Sequence, residues 1–246
     1  MKWDADRYNA SCGAITEHGR ELVEIVRQKN CRRVLDIGSG TGVLAKALAD
    51  ITDEVVGIDS SKEMVEKAKS TYRDIEFIEM DAYDMRWKNH FDGVFSNAVF
   101  HFIQNHDLLL DNVYNALTKK GYLICEFGGN GNISEILIAM EQVCTKRGKN
   151  FVNRFYYPEN DAYISLLQKH HFTPETVVTY DVNTPLKGAD GFRNWMRQAF
   201  SVEMGWLDAE AKNEVYVELE DMLRNTHMKN DEWYIPNRRI RVVAQK

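Results

Sequence analysis

The run Val34-Leu35-Asp36-Ile37-Gly38-Ser39-Gly40-Thr41-Gly42 constrains this chain more than any other segment. An apolar stretch of strand type runs into three glycines at alternate positions. A helical pattern follows, with Val43, Leu44, Ala47 and Leu48 on one face. Glycines permit φ > 0 and let backbone N–H groups approach a ligand without a Cβ in the way. Strand, glycine turn and helix in that order form the opening unit of an α/β fold with a parallel sheet.

The rest of the chain repeats the alternation. Strand-type runs fall at Arg33 to Ile37, Glu54 to Asp59, Ile75 to Met80, Phe91 to Ser96, Tyr122 to Phe127, Thr176 to Tyr180 and Arg239 to Ala244. Helical periodicity fills the intervals. Ser60-Ser61-Lys62-Glu63 reads as a capping box with Ser60 at the N-cap. Lys119-Lys120-Gly121 reads as a helix stop, Asn132 to Glu135 as a capped start, and Pro158 as the first turn of a helix ending near His170. The expectation is a Rossmann-like, seven-stranded, mostly parallel sheet with helices on both faces. Residues 1–246 then make one domain: a cap helix over 1–30, a core over 31–180, a helical lid over 181–236 and a last strand over 237–246.

Chemistry enters at the strand ends. Asp59 closes the second strand, where a carboxylate can accept both hydroxyls of a ribose. The turn is not a dinucleotide fingerprint, because the third glycine comes one position early at Gly42 and position 43 is Val. Asp36 places an anion where a pyrophosphate would sit, whereas a ligand with an ammonium and a sulfonium suits it. Electrostatics therefore favours S-adenosyl-L-methionine over NAD, and a dinucleotide-dependent reductase is the weakest rival.

The same residues carry a family likeness. Leu35 to Gly42 resembles the first motif of class I S-adenosylmethionine-dependent methyltransferases. Asp59, the pair Asp81-Ala82 and the run Phe91 to Asn97 resemble their later motifs. Ser96 to Phe102 and Glu126-Phe127-Gly128-Gly129 look like the trans-aconitate methyltransferase group. Ser39 departs from the usual Cys or Ala but keeps a small side chain. The resemblance implies that Gly38, Ser39, Gly40 and Gly42 pass under the methionine moiety and that Asp36 holds its ammonium. It further implies Asp59 on the ribose, Ser60 or Lys62 beside the adenine, and Asp81 and Ala82 on the adenine edge. Asn97 and Ala98 would offer backbone oxygen, and Tyr8 with His18-Gly19 would close over the cofactor. Phe100 and His101 would line the methyl-transfer face.

His101 is the candidate general base, since an unperturbed imidazole titrates near neutrality; shaping the pocket is its other role. Trp195, Met196, Phe200, Met204 and Trp206 are candidates to line a substrate cavity. Arg193, Arg197, Arg238, Arg239 and Arg241 are candidates to clamp a carboxylate. No metal site is expected: Cys12, Cys31, Cys125 and Cys144 show no C-x-x-C pair, and His170-His171 reads as a helix end. A net charge of -6 without a run of five basic residues disfavours nucleic acid. The charged N-terminus lacks an apolar signal core, and no apolar run is long enough to span a bilayer, so a cytoplasmic monomer or homodimer is expected. The function these features imply is methyl transfer to a small-molecule substrate, with a carboxylate as acceptor. N- or C-methylation of a metabolite such as a quinone precursor is the second reading, and cofactor binding without transfer the third.

Overall fold

The computed structural model describes residues 13–188 and 190–246, residues 13–18 by their backbone alone. The chain alternates as α1 (Gly13–Gln28), β1 (Arg33–Ile37), α2 (Val43–Ala49), β2 (Glu54–Asp59), α3 (Lys62–Thr71), β3 (Glu76–Glu79), β4 (Phe91–Asn97), α4 (His106–Ala116) and β5 (Leu117–Gly128). It continues with α5 (Ser134–Lys146), α6 (Asn160–Lys169), β6 (Thr173–Pro185), α7 (Gly191–Ala199), α8 (Ala209–His227), β7 (Met228–Lys229) and β8 (Glu232–Gln245). Single 3₁₀ turns stand at Ala82–Asp84 and Phe100–Phe102.

The strands lie in the order β3-β2-β1-β4-β5-β8-β6, parallel from β3 to β5. Strand β8 enters antiparallel between β5 and β6. An eighth strand, the two-residue β7, pairs with the start of β8 and was not expected. Successive strand residues point to opposite faces, and the core divides accordingly. Leu35, Val56, Val94, Leu123 and Val242 pack with α4 and α6. Their neighbours Val34, Val55, Phe95, Ile124 and Val243 pack with α1, α2 and α3. Both faces of the sheet are thus covered. Each large apolar side chain fully buried there contributes roughly 1.5–3 kcal/mol.

Four local expectations are corrected. The N-cap of α3 is Ser61, whose hydroxyl accepts from the Met64 N–H at 3.4 Å. Asp59 Oδ1 accepts from the Ser61 N–H at 2.8 Å, which holds Ser60 outside the helix and moves the cap by one residue. Helix α4 ends at Ala116, and Lys119–Gly121 belong to β5, with Lys120 at φ 68°. Asn132 does not cap α5; its Oδ1 accepts from the Arg238 N–H at 2.8 Å, while Ile133 takes the cap at φ 47°. Pro158 precedes α6, whose N-cap is Glu159.

The insertion between β6 and β8 is shorter than 181–236, because β6 reaches Pro185 and β8 begins at Glu232, paired as Pro185↔Tyr234. The long arms of β6 and β8 extend the sheet, one before and one after α7 and α8 in the chain. Those helices form a third apolar cluster with α5, including Phe192, Met196, Phe200, Leu219 and Trp233.

Candidate active site

The glycine turn is built from backbone that side chains would spoil. Gly38, Gly40 and Gly42 take φ of 74°, 54° and 84°, a region costly for residues with a Cβ. A Cβ on Gly38 would stand 2.2 Å from Val99 Cγ2. The turn is pinned to β2: the Gly38 and Ser39 N–H groups donate to Ile58 O at 2.8 and 2.9 Å, and the Gly40 N–H donates to Asp59 Oδ2 at 2.9 Å. Asp59 therefore holds the turn and the start of α3 at once. Burial raises its pKa, and the Ser61 and Gly40 bonds oppose the shift.

Beneath the turn, a recess of about 30 Å³ is lined by Asp36, Ser39, Thr41, Leu44 and Asn97 with their neighbours. Asp36 is 2% exposed, and its Oδ2 has no hydrogen-bond partner among the described residues; neither has Ser39 Oγ. Burial, and then the charge of Asp59, push the Asp36 pKa up to about 8. A lone buried carboxylate is unfavourable unless a donor or cation completes it. An ammonium group would complete it; a phosphate would not.

Above the turn opens a cleft of about 750 Å³. Its floor carries Gly38, Gly40, Asp59, Ser60, Asp81 and Ala82, at the C-terminal ends of β1 to β3. Asp81 Oδ1 accepts from the Tyr83 N–H at 2.9 Å. Arg154, Phe155, Val202 and Glu203 also border the cleft.

A second pocket, of about 80 Å³, shares Ala98, Phe102 and Phe155 with the cleft and continues it past the end of β4. It holds His101, Asn132, Tyr157, Trp195, Gln198, Asn237 and Arg239. Arg239 is its one ionised lining side chain among the described residues. The guanidinium is 6% exposed and is aimed by Glu126: Nε donates to Oε1 at 2.9 Å, and Nη2 donates to Asn97 Oδ1 at 2.9 Å. Glu126 Oε2 accepts from Arg241 Nε at 2.7 Å, and Arg241 also meets Glu21 and the Tyr180 hydroxyl.

His101 packs against Phe102, Phe155 and Tyr157, with ring centroids 4.2, 6.1 and 6.0 Å away. Its Nδ1 accepts from the Gly128 N–H at 3.3 Å. Burial first, then the charge of Arg239 and the nearby His106, hold its pKa down to about 3. A neutral ring with Nδ1 occupied carries its proton on Nε2. With Nδ1 taken by Gly128, the ring presents Nε2–H as a hydrogen-bond donor and offers no free nitrogen to act as the expected general base.

Comparison with known proteins supplies the family. Residues 35–125 match the family described as a methyltransferase domain. Over 258 residues the chain is 26% identical to an uncharacterized methyltransferase of Schizosaccharomyces pombe, covering 99% of this chain and 98% of that protein. The chain is an S-adenosylmethionine-dependent methyltransferase. A trans-aconitate 2-methyltransferase of Mycobacterium tuberculosis is 35% identical over 130 residues, 52% of this chain and 49% of that protein. The chain thus matches only about half the length of that relative. In fold, the methyltransferase resembles the YcgJ protein of Bacillus subtilis, with a TM-score of 0.65 at 17% identity over 94% of this chain and 98% of that one.

Of the residues marked in the sequence, the methyltransferase gathers Asp36, Gly38, Ser39, Gly40, Asp59, Ser60, Asp81, Ala82, Asn97 and Ala98 around the cleft and recess. Gly42 lies one turn further on, where a Cβ would press on Phe77 at 2.7 Å. Trp195 lines the smaller pocket. Phe100 does not; it is fully buried against Phe127 and His106. Arg193 is corrected too: Nε and Nη2 donate to Glu220 at 2.6 and 2.8 Å, tying α7 to α8. Tyr8 and the His18 side chain lie outside the described residues. Gly19 lets α1 approach the recess, since a Cβ there would meet Leu44 Cδ1 at 2.5 Å and Asn97 Nδ2 at 3.0 Å. Phe155, Tyr157, Asn132, Gln198, Asn237 and Glu203 were not anticipated as site residues. The one signal for two of them is the aromatic run Phe155-Tyr156-Tyr157 in a stretch without periodicity.

Proposed function

We propose that this methyltransferase transfers the methyl group of S-adenosyl-L-methionine to a carboxylate of a small molecule held in the pocket of Arg239 and His101. The observation that carries the reading is a single fixed guanidinium in a pocket joined to the cofactor cleft. Arg239 Nη1 takes no partner among the described residues, while Nε and Nη2 are occupied. It is the group left to meet an anion. His101 Nε2–H supplies a second donor from the same wall.

The cofactor, when bound, supplies an electrophilic methyl on a sulfonium. Every other step belongs to the chain. Asp36 takes the ammonium of the amino-acid tail, relieving its own unpaired burial. Asp59 accepts from the ribose, Ser60 flanks the adenine, and Asp81 with Ala82 marks its edge. The glycine turn and Asn97-Ala98 approach by backbone. Trp195, Phe102 and Phe155 exclude water and align the acceptor in line with the methyl group. A carboxylate is already ionised at neutral pH and needs no base, which agrees with a neutral His101 that donates a hydrogen bond. The partial likeness to a trans-aconitate 2-methyltransferase supports an acid as acceptor. The segment over α7 and α8 acts as the lid of this single domain.

Incubation with labelled S-adenosylmethionine and a panel of small carboxylic acids tests the reading. The expected products are methyl esters, with S-adenosylhomocysteine in equal amount. Transfer only to macromolecules, or cofactor binding without turnover, would contradict it.

A further inference from the structure

Unpaired polar atoms cluster on both sides of the cleft. Among the described residues, six buried side-chain N or O atoms take no hydrogen-bond partner. Asp36 Oδ2 and Ser39 Oγ lie under the glycine turn. Three more, Gln198 Nε2, Ser201 Oγ and Glu203 Oε2, fall within residues 198–203, where α7 ends and turns back. Gln198 lines the smaller pocket and Glu203 the cleft. A side chain left unsatisfied in a cavity wall costs free energy that a ligand can restore.

Glu203 is the stronger of these. Its side chain is 5% exposed, and the ion pair it makes is long: Arg154 Nε stands 4.0 Å from Oε1, on a side chain 62% exposed. Burial raises its pKa, and its own backbone N–H and Arg154 offset part of the shift. The other carboxylates bordering the cleft, Asp59 and Asp81, stand at strand ends beside the glycine turn. In the reading above, the cofactor's three kinds of donor, its ammonium, ribose hydroxyls and adenine amino group, already have acceptors in Asp36, Asp59 and Asp81. The carboxylate contributed by the lid is left for the methyl acceptor. In that reading the donors for the anionic end of the molecule are Arg239 and His101 in the smaller pocket.

We propose that Glu203 is a specificity residue whose free carboxylate oxygen accepts a hydrogen bond from a hydroxyl or amino group of the methyl acceptor. The acceptor class is then a small hydroxy or amino acid rather than a plain carboxylic acid. This rests on the reading of Arg239 as the anion's partner and of Asp36, Asp59 and Asp81 as cofactor contacts.

The test compares wild type, Glu203→Gln and Glu203→Ala on matched acids with and without a hydroxyl or amino group, together with uncharged alcohols and amines. The cofactor dissociation constant of each variant is measured by calorimetry. Loss of a hydrogen bond to a charged group corresponds to roughly tenfold to a hundredfold in affinity. Glu203→Gln is expected to raise KM by that factor for donor-bearing acceptors, with kcat, plain-acid kinetics and cofactor affinity little changed. Equal KM across matched pairs in the wild type overturns the proposal, as does a variant with weakened cofactor binding, whatever the panel yields. A collapse of kcat with a new pH dependence overturns it in favour of proton abstraction. If acids are methylated in an Arg239-dependent way but ignore Glu203, this proposal alone fails. If only uncharged alcohols or amines are methylated, the anion reading fails and the hydroxy- or amino-acid class fails with it. A panel in which nothing is methylated counts against both.

Discussion

Arg239 and Glu126 lie two positions out of register across β5 and β8 and are joined Nε to Oε1 at 2.9 Å, which fixes a guanidinium in the wall of the smaller pocket, the proposed acceptor site. Lysine keeps the charge but not the planar fork. Arg239→Lys is expected to raise KM for a carboxylate acceptor about tenfold or more while leaving cofactor affinity within about twofold. Steady-state kinetics with parallel calorimetry checks this.

His101 should leave no imprint on the pH profile of catalysis. Its neutral ring donates from Nε2, so kcat should stay flat from pH 6 to 8 apart from titration of the acceptor. Its effect falls on stability. The folded pKa, about 3, lies below the ordinary 6.5. Its contribution to stability is therefore complete above 6.5 and declines as pH falls toward 3. His101→Asn, which retains a donor, should flatten part of the acid limb of a denaturation-versus-pH curve and cost less activity than His101→Phe.

Asp36 has the opposite sign. A folded pKa near 8 against an ordinary 3.8 means that ionisation opposes folding, increasingly so as pH rises between these values. At about 1.4 kcal/mol per pKa unit the effect is measurable. Asp36→Asn is expected to raise the melting temperature of the cofactor-free protein at pH 8 and to change it little at pH 4. A lower melting temperature at both would contradict this.

The Arg193–Glu220 pair should matter for the lid and not for chemistry. Arg193→Met leaves Glu220, 8% exposed, without its partner. A loss of roughly 1–3 kcal/mol is expected for a partly buried pair. Acceptor KM at 25 °C should change less than about threefold. Thermal denaturation and kinetics on the same preparation separate the two effects.

How much of this was legible in the sequence depended on periodicity. Buried strands such as Val34 to Ile37 and the glycine turn are local signals, and the structure places them where the residues predict. The caps failed where a side chain found a distant partner: Asn132 turned to the Arg238 backbone, and Asp59 drew Ser61 into the cap. The arm of β6 past Tyr180 is largely polar and exposed, and in the arm of β8 the buried Trp233 and Ile235 are followed by Pro236, Asn237 and Arg238, so the sequence showed no strand there although the pairing continues. The lining of the cleft and recess was readable because its residues sit at strand ends. The acceptor side was not, because it is assembled from β8, the end of α7 and an irregular stretch. Only tertiary pairing distinguishes Arg239 from Arg193: the first is aimed at a pocket by Glu126, the second consumed by Glu220.

Calorimetric titration of S-adenosylmethionine into wild type and Asp36→Asn between pH 6 and 7.5 tests Asp36 as the seat of a cation most directly. Below its pKa of about 8 the buried acid must lose a proton to take the ammonium. Wild type should therefore release protons on binding and gain affinity with pH, by up to about tenfold per unit. The asparagine variant should bind weakly and without that slope. Affinity independent of pH, or an Asp36→Asn protein that binds as tightly as wild type, would contradict it.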